Sequence, residues 1–216
     1  MGQTVQAVKA MRRFFTMLGF LGLLAACSGR FEYVRPVSVE IPAQSWVVTK
    51  TMEDVWRQAS TGSIREGFAV TRVDKNAGLI TVAYSGNPER YVDCGHITSY
   101  VKNVRGERIY RFPAATAATD YELMTGREIV SIARQIVLDA QIAVTAIPIG
   151  SQAVRVSASA RYVLARTMRI RDTQGGVQTA SDHISFTSDQ EGYFPGGVAC
   201  RASGQLEADV LSAFAP

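Results

Sequence analysis

The chain's candidate chemistry rests on three cysteines, Cys27, Cys94 and Cys200, and two histidines, His96 and His183. Two thiols a hundred residues apart have three possible fates. In an exported chain they meet an oxidising compartment and pair, so a Cys94–Cys200 disulfide is the first expectation. As a nucleophile, Cys94 would need a lowered pKa and a base to take its proton, with His183 as that base. As metal ligands, Cys94, His96, His183 and Cys200 have the right donor types for zinc but lack the paired Cys-x2-Cys spacing, so no metal is expected. Acidic residues are scattered along turns and helix faces, which picks out no glycosidase carboxylate pair. A glycine-rich phosphate loop ending in Lys-Ser/Thr is absent from the sequence, and no cofactor is expected.

The fate of the thiols depends on the compartment, and residues 11–27 speak to it. Met11-Arg12-Arg13 precedes the apolar run Phe14 to Ala26 and then Cys27. A charged start, a short apolar stretch and a small-residue cleavage site form the layout of a secretory signal peptide. The apolar run is about 13 residues, where a spanning helix needs roughly 20. Met11 is a second candidate for the start codon. Leu24-Ala25-Ala26-Cys27 resembles the lipobox of bacterial lipoproteins. The resemblance implies cleavage before Cys27, a diacylglycerol on its thiol, and acylation such as palmitate on the new amine. Two or three chains anchor firmly where one is marginal. Ser28 after the cysteine is similar to the pattern sorted to the outer membrane, which implies the inner leaflet of that membrane, facing the periplasm. Residues 1–26 are thus expected as leader, and 27–45, with Pro36 and Pro42, as lipidated cysteine and tether.

Asp93-Cys94-Gly95-His96 resembles the Asp-Cys-Ser-Gly of NlpC/P60 cell-wall peptidases, where the cysteine opens a helix whose positive end stabilises the thiolate. The departures weigh against it: Gly95-His96 stands in place of Ser-Gly, the family's histidine strand is missing, and Cys200 is there to quench the thiol. No catalytic set is therefore expected. Gly192-Tyr193-Phe194-Pro195-Gly196-Gly197 reads either as a packed turn beside the disulfide or as a docking tip through Tyr193 and Phe194.

Net charge bounds the partners. The chain carries 23 basic and 19 acidic residues. Lys9, Arg12 and Arg13 lie in the leader, and removing those three from 23 leaves 20 against 19. A field near +1 gives no footprint for nucleic acid. The expected partners are a membrane, through lipid on Cys27, and an envelope protein.

The elements that must position these residues follow from periodicity. Thr51 to Asp54 has the form of a capping box, and Met52, Val55, Trp56 and Ala59 recur at helical spacing, predicting a helix over 52–65. Phe68–Val73 and Leu79–Ser85 read as a hairpin, with short segments near Tyr91–Gly95 and Arg108–Phe112. Residues 113–127 read as a mobile loop. Ile136 to Ala146 and Val154 to Leu164 alternate apolar and polar residues and predict a long antiparallel hairpin with one wet face. Leu206, Val210, Leu211 and Phe214 predict a final helix. The sum is a single α+β domain over 46–216, an antiparallel sheet covered by an early and a late helix. The run Val55-Trp56, Gly67-Phe68, Asp74, Gly78-Leu79-Ile80-Thr81-Val82 resembles the helix-grip modules of BamC-type lipoproteins, implying a role in envelope assembly. A carrier of an apolar ligand held between sheet and helices is a further reading.

Overall fold

The computed structural model describes residues 28–37, 44–60, 67–126 and 128–214. The expected leader, Cys27 and residues 38–43 of the expected tether lie outside the described residues, as do residues 61–65 of the predicted helix.

The centre of the fold is the predicted hairpin, longer than its alternation suggested. Strand β9 runs Glu128–Gly150 and β10 runs Ala153–Arg171. After a one-residue shift beside Ala153, they stay in antiparallel register from Val154↔Pro148 to Arg171↔Ser131. Twenty-three extended residues span about 75 Å, so each outer edge of the ribbon has room for two shorter strands end to end. Along β9 lie β4 (Leu79–Gly86), itself paired with β3 (Phe68–Asp74), and β8 (Ala118–Thr125). Along β10 lie β2 (Ser45–Val48) and β11 (Val177–Thr187).

Even-numbered residues of the ribbon face inward. Ile136, Leu138, Ile142, Val144, Val154, Val156, Tyr162 and Leu164 are all buried in one core. Burying side chains of this size contributes about 1.5–3 kcal/mol each before entropy is counted. The alternation fixes the register, because a slip of one residue would turn this set out to water.

Two helices lie over that inner face. Helix α1 (Met52–Ala59) buries Val55, Trp56 and Ala59, and begins with the predicted capping box: Thr51 and Asp54 each bond the other's backbone N–H. Helix α2 (Gln205–Ser212) buries Leu206, Val210 and Leu211. Each helix has only eight residues. The expected α+β domain covered by two helices is therefore corrected. Strands make up 64% of the described residues and helices 9%, so the fold is mostly β and built of several antiparallel sheets.

The rest of the cover is two small sheets, and the predicted short segments near Tyr91–Gly95 and Arg108–Phe112 supply one strand to each. One small sheet has the order β1 (Ser28–Val34), β6 (His96–Asn103), β7 (Gly106–Pro113). Another joins β12 (Glu191–Tyr193), β13 (Ala199–Ala202) and β5 (Val92–Asp93). Two assignments change as a result. Ser28–Val34, at the start of the expected tether, pairs in full with β6. Residues 118–125 of the expected mobile loop are strand β8, paired with the first eight residues of β9. The turn signals Pro113 and Gly126 mark the end of β7 and the end of β8; they do not mark a loop through residues 118–125.

Candidate functional site

Cys94 and Cys200 form the expected disulfide. Cys94 lies between β5 and β6, Cys200 sits in β13 opposite Gly192, and both are buried. The helix that would activate a peptidase cysteine does not follow Cys94. A turn does: the Asp93 carboxylate accepts the Gly95 N–H at 2.8 Å, and β6 begins at His96. His96 and His183 are both exposed, the second on β11 opposite Ala165. With both sulfurs bonded to each other, the four-residue zinc set is not assembled, and among the described residues no group of three or more His, Cys, Asp or Glu could hold a metal.

The Tyr193–Gly197 turn splits its two aromatics. Tyr193 is 52% exposed and donates to Glu191 at 2.6 Å. Phe194 is buried, with its N–H bonded to the Val198 carbonyl at 2.9 Å. The docking tip expected from both residues thus presents Tyr193 alone. Phe194 belongs to the packed turn beside the disulfide, where it meets a residue the sequence reading did not single out.

That residue is Arg166, whose guanidinium lies 4.2 Å from the centre of the Phe194 ring. It donates through Nε and Nη2 to the two carboxylate oxygens of Asp182, at 2.9 and 2.6 Å, and through Nη2 to the Pro195 carbonyl at 3.3 Å. Asp182 is its cross-strand neighbour on β11. A two-pronged pair of this kind is the strongest geometry a guanidinium has, and here it fixes the turn to the sheet.

Arg134 is the second inward-facing arginine. It lies on β9, opposite Met168 of β10 on one side and Thr119 of β8 on the other. It is 3% exposed, and its guanidinium sits 5.0 Å from the centre of the Phe112 ring on β7. Phe112 in turn packs against Tyr121 of β8 at 5.1 Å. Nε and Nη2 of Arg134 are buried without a hydrogen-bond partner. Burial pushes its pKa below the ordinary value, against an opposing pull from Tyr121, and the charge of Arg166 adds a smaller push downward. A guanidinium nevertheless stays protonated in proteins.

The site is thus a row of Phe194, Arg166, Tyr121, Arg134 and Phe112, where the end of the long sheet meets both small ones. Its polar groups are hydrogen-bond donors and one closed ion pair, and its walls are aromatic, a chemistry of recognition. The sequence held a signal for both arginines: each interrupts the apolar parity, Arg134 between Ile132 and Ile136, Arg166 between Leu164 and Met168.

A second buried polar group fastens α2. The Glu207 carboxylate accepts from Tyr162 at 2.8 and 2.9 Å and from Ser188 at 2.5 Å. Its hydroxyl donors come from β10 and from the turn after β11, and the contact is structural. Between the sheet and the helices, the place the carrier reading gives to an apolar ligand, Val55, Trp56, Leu206, Val210 and Phe214 are buried in the core. Two open grooves lie instead by the outer face of the sheet, on either side of the cross-strand pair Gln141 and Arg161.

No protein-family model, curated protein or solved structure matches the chain.

Proposed function

We propose that this protein is a lipid-anchored component of a bacterial cell envelope, whose β-rich domain binds a partner protein and carries out no catalysis. The observation that carries the reading is the buried Cys94–Cys200 disulfide, in a chain whose residues 11–27 resemble a leader ending in a lipobox, Leu24-Ala25-Ala26-Cys27. Disulfides persist in exported proteins and are rare in the reducing cytosol. A lipobox accounts for the third cysteine, so each of the three has a role: one takes lipid and two staple the domain. The open outer face of the sheet and the exposed Tyr193 are the surfaces on offer to a partner.

The test is intact mass of the full chain expressed in a bacterium, before and after reduction and alkylation, beside Cys27→Ser. The expected product begins at Cys27, carries a diacylglycerol and a fatty acyl increment, and alkylates at Cys94 and Cys200 only after reduction. Cys27→Ser loses the lipid and leaves the membrane fraction. A chain that keeps residues 1–26, carries no lipid and alkylates without reduction would overturn the proposal.

A further inference from the structure

The two inward arginines of the long sheet differ in one respect, and the difference points to a ligand. Arg166 shows how a guanidinium is satisfied in this environment: Nε and Nη2 hold the two carboxylate oxygens of Asp182 side by side. In Arg134 the same two nitrogens, forming the same edge of the group, are buried and unpaired. A buried donor without a partner is costly, and a buried charge more so. The carboxylates of Asp182 and Glu122 are already engaged, by Arg166 and Arg108 respectively, each at 2.6 Å. Two guanidinium charges and one carboxylate leave the cluster one negative charge short.

We propose that Arg134 is the anchor of a binding site for a small monocarboxylate with an apolar body. The free edge of the guanidinium matches a planar pair of oxygens, as the Arg166–Asp182 pair shows. One negative charge balances the cluster, whereas a phosphate dianion would bring a second one and a tightly held hydration shell into apolar walls. Those walls are the Phe112 ring, Tyr121, Ile132 and Ile136, which suit a hydrocarbon or aromatic body. Entry is from the side of Met168 and Thr119, the two cross-strand neighbours of Arg134, which are both only half-buried. The site does not rest on the lipid anchor and would exist in a soluble form of the domain as well.

The experiment follows the Arg134 Nε–H resonance of 15N-labelled protein, assigned by its loss in Arg134→Lys, during titration with octanoate, acetate and inorganic phosphate. The expected result is a saturable shift with octanoate, weaker binding of acetate, and no saturation with phosphate. Arg134→Met, which fills similar volume without the charge, should lose octanoate affinity by at least about tenfold. In carboxylate-free buffer the same variant should melt above the parent, because it removes an unpaired buried charge. Arg134→Lys should fall between the two in affinity, since it keeps the charge and loses the two-pronged edge. No saturable shift with either carboxylate overturns the proposal, as does unchanged octanoate affinity in Arg134→Met. Phosphate binding as tightly as octanoate overturns the carboxylate assignment. Lower melting of unliganded Arg134→Met without any ligand-dependent shift would make Arg134 a structural residue only.

Discussion

Gly95 sets the path of the chain immediately after the disulfide. Its φ is +74°, and a Cβ built there would lie 2.0 Å from the Val34 carbonyl oxygen at the end of β1. Both the left-handed backbone and the close approach exclude a side chain. Gly95→Ala is therefore expected to destabilise the protein by about 2 kcal/mol or more, read as a lowered urea midpoint with an unchanged slope. The Asp93-Cys94-Gly95-His96 motif was visible in the sequence, and its glycine was the informative residue for a reason unrelated to peptidases: it lets two strands pass. The site arginines were legible in principle. Arg134 and Arg166 stand on the apolar parity of their strands, and a charge on that parity announces a buried ion that must find a partner. The apolar alternation is plainest from Ile136 to Ala146 and from Val154 to Leu164, and Arg134 and Arg166 each lie two residues beyond it. Phe112 and Tyr121 could not have been joined to them, because no local spacing tells that β7 crosses beside β8.

At the scale of elements, the staple between the β5–β6 corner and β13 joins segments 106 residues apart. Loop-closure entropy favours the closed form by up to ~4.7 kcal/mol for a loop of that length, and 2–5 kcal/mol is the usual loss on removing a native disulfide. Cys94→Ser with Cys200→Ser should thus lower stability by about 2–5 kcal/mol, seen equally when the parent is unfolded in reductant. Helix α2 is held at its other flank by Asp209, which accepts from Tyr91 at 3.2 Å and from Arg90 at 2.8 Å. Burial, with the adjacent Asp209 carboxylate, pushes the Tyr91 hydroxyl from 10.0 up to about 12. A raised phenol keeps its proton in the folded state after the unfolded chain has lost it. The stabilisation is whole below pH 10 and disappears as pH rises towards about 12. Denaturant midpoints should fall across that window, and fall less steeply in Tyr91→Phe; an identical slope in the variant would remove Tyr91 as the cause. Local pattern revealed α1 with its cap, the β3–β4 and β9–β10 hairpins and α2, because each carries its own period. The β1, β6 and β8 strands are short and mixed in polarity, and they become strands through partners distant in the chain.

At the scale of the molecule, the long ribbon divides the protein into a covered face and an open one. α1, α2 and the two small sheets all lie over the even-numbered residues, and the odd-numbered ones, such as Gln141, Ser159 and Arg161, face water. The two faces should therefore answer mutation in opposite ways. Leu138 is wholly buried, so Leu138→Ala should cost about 2–5 kcal/mol through lost contact and the cavity left behind. Ser159 is exposed and lines one of the two grooves, so Ser159→Arg should stay within about 0.5 kcal/mol of the parent. Urea denaturation of both variants measures this contrast. If the open face is where a partner docks, Ser159→Arg separates the two requirements that the long hairpin serves: the variant keeps its stability and, on the proposed function, its membrane attachment, and loses the partner in a crosslinking pull-down from envelope membranes. A Ser159→Arg protein that unfolds as easily as Leu138→Ala would show that the open face is covered in the native protein and that the division proposed for the sheet is wrong.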